Sequence, residues 1–131
     1  MSLLRSTMFP IAIAAAVVST AAYATDIRPF DRAAFETAQQ QNRPVIVFVH
    51  APWCPVCRSQ IKTMDKVTED PAYRDLIVFR IDYDSQRPLW QSFGVTKQST
   101  LIGYRGSRET GRIAYESDEA KVRQVLAQTL R

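Results

Sequence analysis

The sequence predicts an α/β domain: a central mixed sheet with helices on both faces. Three observations carry this reading. Two runs, VIVFVH (45–50) and LIVFRID (76–82), are dense in β-branched and aromatic residues, as strands buried on both faces are. Segments with helical spacing of apolar residues alternate with those runs. A closing pair of strands, TLIGY (100–104) and RIAY (112–115), is joined by the turn-rich segment 105–111 and followed by one more helical pattern.

Taken in order, Asp31 is placed to cap a first helix through AAFETAQQQ, with Phe30 and Phe35 at the spacing of a hydrophobic staple. The helix stops near Asn42-Arg43 because Pro44 bars continuation. After the strand 45–50, Cys54, Cys57, Ile61 and Met64 fall on one helical face, while Lys62, Asp65 and Lys66 take others. Pro71 breaks that pattern. RPLWQSFGV (87–95) reads as a short helix ending at Gly94. Ser117 or Asp118 caps a last helix whose stripe is Val122, Val125, Leu126 and Leu130. Trp90 and Tyr83 read as packing residues.

The 131 residues suffice for one domain with a real core. Seventeen basic residues are interleaved with thirteen acidic ones, for a formal charge of +4. No basic run of five or more occurs, so the charge pattern describes a solvated surface and not a nucleic-acid-binding one. The first residues differ in kind. Arg5 precedes a mostly apolar run from Met8 to Val18, and Ala22-Tyr23-Ala24 forms an A-x-A cleavage pattern. This is the layout of a secretory signal peptide over 1–24, cleaved after Ala24, which leaves a domain of 25–131. The apolar core is shorter than the roughly 20 residues a spanning helix needs. No cysteine lies near the cleavage site, which excludes a lipoprotein anchor.

The chemistry concentrates in HAPWCPVCRSQ (50–60), which holds the only histidine, His50, and the only cysteines, Cys54 and Cys57. In an oxidising compartment each cysteine has only the other to pair with. Four readings arise. Haem attachment fails, because CxxCH needs a histidine where Arg58 stands. An inert staple closing so short a loop would remove little chain entropy. A soft-metal site for copper or zinc would draw on Cys54, Cys57 and His50 and lack a fourth ligand. The last reading is a redox couple. The pair sits where a buried strand gives way to a helix, and unpaired amides and the helix dipole stabilise a thiolate at the first turn. Cys54 is then the nucleophile and Cys57, one turn on, the more buried resolving thiol, with Arg58 adding positive charge. Pro55 stands where a missing N–H costs the helix little.

A buried strand, then A-x-W-C-x-x-C opening an amphipathic helix, resembles the thioredoxin family. APWCPVC, FGV (93–95), STLI (99–102) and the closing unit all fall in that family's order, over 30–131. The resemblance implies a thioredoxin fold and a thiol–disulfide oxidoreductase that works through a mixed disulfide at Cys54 released by Cys57, with no cofactor beyond the dithiol. Together with the signal peptide it implies a monomeric protein of the bacterial periplasm, reducing disulfides of exported proteins and drawing electrons from a membrane thiol-electron transporter. The uncharged Pro55-Val56 between the cysteines and the lack of room for an inserted helical domain favour a reductase over an oxidase or isomerase.

Three positions depart from the family pattern. Where thioredoxins carry a buried acid on the strand before the motif, this chain has Phe48, so the Cys57 proton must leave through water or another group. The family's cis-proline aligns with Ser99, and a non-proline cis bond costs roughly 2.5–4 kcal/mol, so a trans Gln98–Ser99 bond is expected. The backbone role in pairing with substrate passes by position to Gln98, while the Ser99 hydroxyl either bonds a thiolate or serves loop structure. His50 stands where an aromatic residue is common, either as a proton carrier and thiolate stabiliser or as support for the loop. Trp53 flanks Cys54 and shapes the docking surface.

Overall fold

The computed structural model describes residues 25–131; the segment read as a signal peptide lies outside them. The described residues form five strands: β1 (Asp26–Pro29), β2 (Pro44–His50), β3 (Ile77–Asp82), β4 (Thr100–Arg105) and β5 (Arg108–Ala114). The helices are α1 (Arg32–Gln40), α2 (Pro55–Val67), α3 (Arg87–Ser92) and α4 (Glu119–Gln128), with a single 3-10 turn at Pro71–Tyr73. The strands lie in the order β1-β3-β2-β4-β5. The first three are mutually parallel, β4 runs antiparallel to β2, and β5 runs antiparallel to β4, so the sheet is mixed as expected.

The alternation of side chains along β2 divides the core. Val45, Val47 and Val49 face one layer with Phe35, Ala38, Phe79 and Trp90. Ile46 and Phe48 face the other, with Cys54, Cys57, Met64, Val122 and Leu126. Helices α1 and α3 therefore cover one face, and α2 and α4 the opposite one. The dithiol is built into the second layer.

The local signals operate as read. Asp31 Oδ1 accepts from Ala34 N at 2.7 Å, and the Phe30 and Phe35 rings pack with centroids 5.4 Å apart. Of the two candidate caps of α4, Asp118 takes the role, accepting from Lys121 N at 3.1 Å. Trp90 stacks on Tyr83 at 5.0 Å and donates to the Tyr83 carbonyl.

Four features differ from the sequence reading. The strand β1 was not expected, because four residues with two charges and a proline carry little strand signal; pairing with β3 forms it. Strand β5 begins at Arg108, since Arg105 pairs with Arg108 and the turn needs only Gly106, at φ 58°, and Ser107. Helix α3 ends at Ser92, and the chain then turns through Gly94 at φ 70°. The buried face of α2 is rotated: Cys57, Gln60, Thr63, Met64 and Val67 are buried, whereas Ile61 lies half-buried at its margin.

Candidate functional site

Strand β2 delivers the chain to Ala51, and a short turn over Pro52 and Trp53 brings Cys54 to the N-cap of α2. Pro55 occupies the first helical position, where no N–H is needed. The Cys54 sulfur acts as the capping acceptor, taking the Cys57 N–H at 3.2 Å. A sulfur in this role sits against the positive end of the helix and gains most when ionised.

Ser99 completes the arrangement. Its Oγ lies 2.8 Å from Cys54 Sγ and 2.9 Å from Cys57 Sγ. Ser99 has φ 59°, and none of the described residues forms a cis peptide bond, so Gln98–Ser99 is trans. The left-handed conformation is held by three hydrogen bonds. Ser99 N donates to Val49 O at 2.8 Å, and Ser99 O accepts from Tyr115 N at 3.0 Å. Gln60 Nε2 also donates to Ser99 O at 3.0 Å, and to Glu116 O at 2.9 Å.

These contacts set the two thiols apart. Burial pushes the Cys54 thiol up, but the hydrogen bonds from Cys57, Ser99 and the first-turn amides outweigh it and hold Cys54 below the ordinary thiol value. Burial pushes the Cys57 thiol up as well; its bond to Cys54 adds to this, and Ser99 only partly offsets it. Phe48, 0% exposed, backs the pair with an apolar wall. The guanidinium of Arg58, expected to add charge near Cys54, donates to the Pro52 carbonyl at 3.5 Å. Both cysteines are 0% exposed, and Cys57, expected to be the more buried of the two, lies deeper among the surrounding protein atoms.

Other expected site residues lie around this centre. Trp53 is 55% exposed, and its Nε1 donates to Asp84 Oδ2 at 2.9 Å, so the indole is pinned outside the dithiol. Gln98 is half-buried beside Ser99. His50 ends β2 in a hollow of about 200 Å³ with Pro29, Pro52, Arg80, Asp82 and Gln86. Burial lowers its affinity for a proton, Arg80 lowers it further and Asp82 opposes them. No hydrogen bond joins its ring to either sulfur. Among the described residues no three of His, Cys, Asp and Glu gather where they could hold a metal ion, so His50 does not complete a site with the cysteines.

Two residues of this region escaped the sequence reading. Gln60 is fully buried, one turn after Cys57; a polar residue at that spacing on the helix was the available signal. Tyr115 is 54% exposed at φ 54°, tied to Ser99 O and lying under the Lys97 ammonium. Nothing in its local sequence announces that conformation.

Comparison with known proteins gives one consistent result. The family model for thioredoxin matches residues 26–129. A thioredoxin of Alicyclobacillus acidocaldarius is 30% identical over 87 residues, spanning 65% of this chain and 81% of that protein. Thioredoxin-2 of Saccharomyces cerevisiae is 28% identical over 86 residues, spanning 66% and 80%. Among solved structures, Trxlp from Edwardsiella tarda superimposes with a TM-score of 0.72 at 40% identity, covering 77% of this chain and 98% of that one. With its five-stranded mixed sheet and its Cys54–Cys57 pair at the head of α2, the chain belongs to the thioredoxin family and is a thiol–disulfide oxidoreductase.

Proposed function

We propose that this protein is an exported dithiol reductase, with Cys54 as nucleophile and Cys57 as resolving thiol. The observation that carries the assignment of roles is the N-cap position of the Cys54 sulfur. It accepts the Cys57 N–H and a contact from Ser99, while Cys57 lies deeper in α2 with its thiol held up by burial. Cys54 thiolate attacks one sulfur of a substrate disulfide. The substrate S–S bond breaks, a Cys54–substrate disulfide forms, and the other substrate sulfur leaves as a thiolate that takes a proton from water. Cys57 then attacks Cys54 Sγ, forms the Cys54–Cys57 disulfide and releases the second substrate thiol. Two electrons pass from the dithiol to the substrate, and the dithiol itself is the redox group.

Both sulfurs lie beneath the surface, so the attacking geometry requires the Ser99 loop or the 51–54 turn to open. The exposed Trp53 marks the surface on which a substrate disulfide arrives. Reduction is favoured over oxidation by the uncharged Pro55-Val56 pair and by the compactness of the domain, in which only the six-residue α3 lies between β3 and β4. The layout of 1–24 supports export to the periplasm, where a membrane dithiol carrier would return the electrons and exported proteins with oxidised cysteine pairs would be the substrates.

The test is trapping. With Cys57→Ser, mixed disulfides at Cys54 should accumulate on a disulfide-bonded protein substrate, and with Cys54→Ser none should. Equal trapping by both variants would overturn the assignment. Recovery of a chain starting at Thr25 from the periplasmic fraction would bear out the export reading, and an uncleaved cytoplasmic chain would end it.

A further inference from the structure

The proposed chemistry leaves one proton without a carrier. Cys57 must lose its proton as it attacks Cys54, yet it is buried against Phe48, where no carboxylate stands. Within that layer one hydroxyl touches both sulfurs: Ser99 Oγ, at 2.8 Å from Cys54 Sγ and 2.9 Å from Cys57 Sγ. A serine hydroxyl has one proton to donate and lone pairs to accept, so it can serve both sulfurs at once in a fixed order.

We propose that Ser99 is a catalytic residue whose hydroxyl links the two cysteines in one hydrogen-bond chain and carries the proton between them and the leaving sulfur. The proposal rests on Cys54 being the nucleophile. In the resting dithiol, Cys57 S–H donates to Ser99 Oγ and Ser99 O–H donates to the Cys54 thiolate, which places the charge on the N-cap sulfur and the proton on the resolving one. In the resolving step Cys57 attacks Cys54 Sγ and gives its proton to Ser99 Oγ. Ser99 passes its own proton to the substrate sulfur departing from Cys54. The Cys54–Cys57 bond forms, the mixed disulfide breaks, and the serine ends as it began.

The surroundings hold the hydroxyl in place at some cost. A non-glycine residue at φ 59° is strained, and Val49, Tyr115, Gln60 and the two sulfurs fix it there. Gln60 is a positioning residue. Its Nε2 hydrogens tie the Ser99 and Glu116 carbonyls to α2, and its Oε1 is buried with no hydrogen-bond partner. Buried polar atoms are rarely left so.

Ser99→Gly separates the hydroxyl from the backbone, because glycine adopts positive φ without strain and removes only the side chain. The reduced protein is titrated by the ultraviolet absorbance of its thiolate, which needs no reagent to reach Cys54. The ionisation constant of Cys54 should fall about tenfold, so that its titration midpoint moves up by about one pH unit, the loss expected for one hydrogen bond to a charged group. Decay of a preformed Cys54 mixed disulfide should slow by a similar factor, while thermal unfolding is unchanged or later. Ser99→Ala should repeat both effects, so the inference does not depend on one variant folding. If both variants titrate and resolve like the parent, the hydroxyl is a loop fixture and the proposal fails. That outcome is distinct from failure of the nucleophile assignment, which the trapping experiment reads on the parent protein's own cysteines.

Discussion

Replacing Gln60 by leucine separates fold stability from thiol chemistry. The side chain is fully buried and makes two hydrogen bonds, to Ser99 O at 3.0 Å and Glu116 O at 2.9 Å. Each is worth about 1 kcal/mol net, so their loss costs about 2 kcal/mol. Against this, Gln60 Oε1 has no partner, and removing a buried unsatisfied acceptor returns about 1–3 kcal/mol. Ser99 O keeps its bond from Tyr115 N at 3.0 Å, and leucine adds apolar contact in the layer that holds Met64 and Leu126. The terms nearly cancel, and Gln60→Leu should unfold within about 1 kcal/mol of the parent in urea. The thiol chemistry should not cancel. With one of its anchors gone, the Ser99 loop can leave φ 59°, and its hydroxyl then stands less often between the sulfurs. The ionisation constant of Cys54 should fall several-fold, read as an upward shift of its ultraviolet titration beside the urea curve. A variant several kcal/mol less stable, or one with an unshifted thiolate titration, would show that Gln60 does not hold Ser99 in this way.

Three further outcomes follow from the same contacts. Ser99→Pro should cost about 3 kcal/mol or more in denaturant unfolding, because proline is locked near φ −65° and lacks the N–H that Ser99 gives Val49 O at 2.8 Å; parental stability would mean that the loop rearranges freely. Tyr115→Gly should stabilise by about 0.5 kcal/mol, since relief of φ 54° outweighs the added unfolded-state freedom; a destabilised variant would show that the exposed ring packs. His50 binds a proton less readily in the folded state because of burial and Arg80. The unfolded chain therefore takes up more protons, and stability should decline as pH falls below about 6.5. His50→Gln should flatten that part of the pH profile, and an unchanged slope would assign it to other groups.

What the sequence makes legible here is whatever depends on neighbours along the chain. The unbroken apolar run of β2, the Asp31 cap with its Phe30–Phe35 staple, and the cysteine pair at a strand-to-helix junction are all local patterns, and each forms as read. The strand β1 is not such a pattern, because Asp26–Pro29 becomes a strand only by pairing with β3, some fifty residues on. The site divides in the same way. Cys54 and Cys57 declare themselves, while the hydroxyl between them comes from 42 residues past Cys57. Its position depends on a left-handed backbone that serine does not advertise. Gln60 lies among apolar residues of the buried face of α2, so its value is visible only once the Ser99 and Glu116 carbonyls are seen to converge on it.

The most direct test of the account is the equilibrium of the Cys54–Cys57 couple in graded thiol/disulfide buffers, read by alkylation and mass. Thioredoxin-like reductants lie near about −270 mV and strong oxidases near about −120 mV. A reversible two-electron couple toward the thioredoxin end is expected, moving to a more negative potential in Ser99→Gly as the Cys54 thiolate loses its donor. A couple near the oxidase value would contradict the direction of electron flow proposed here, and the absence of any reversible couple would contradict the redox role itself.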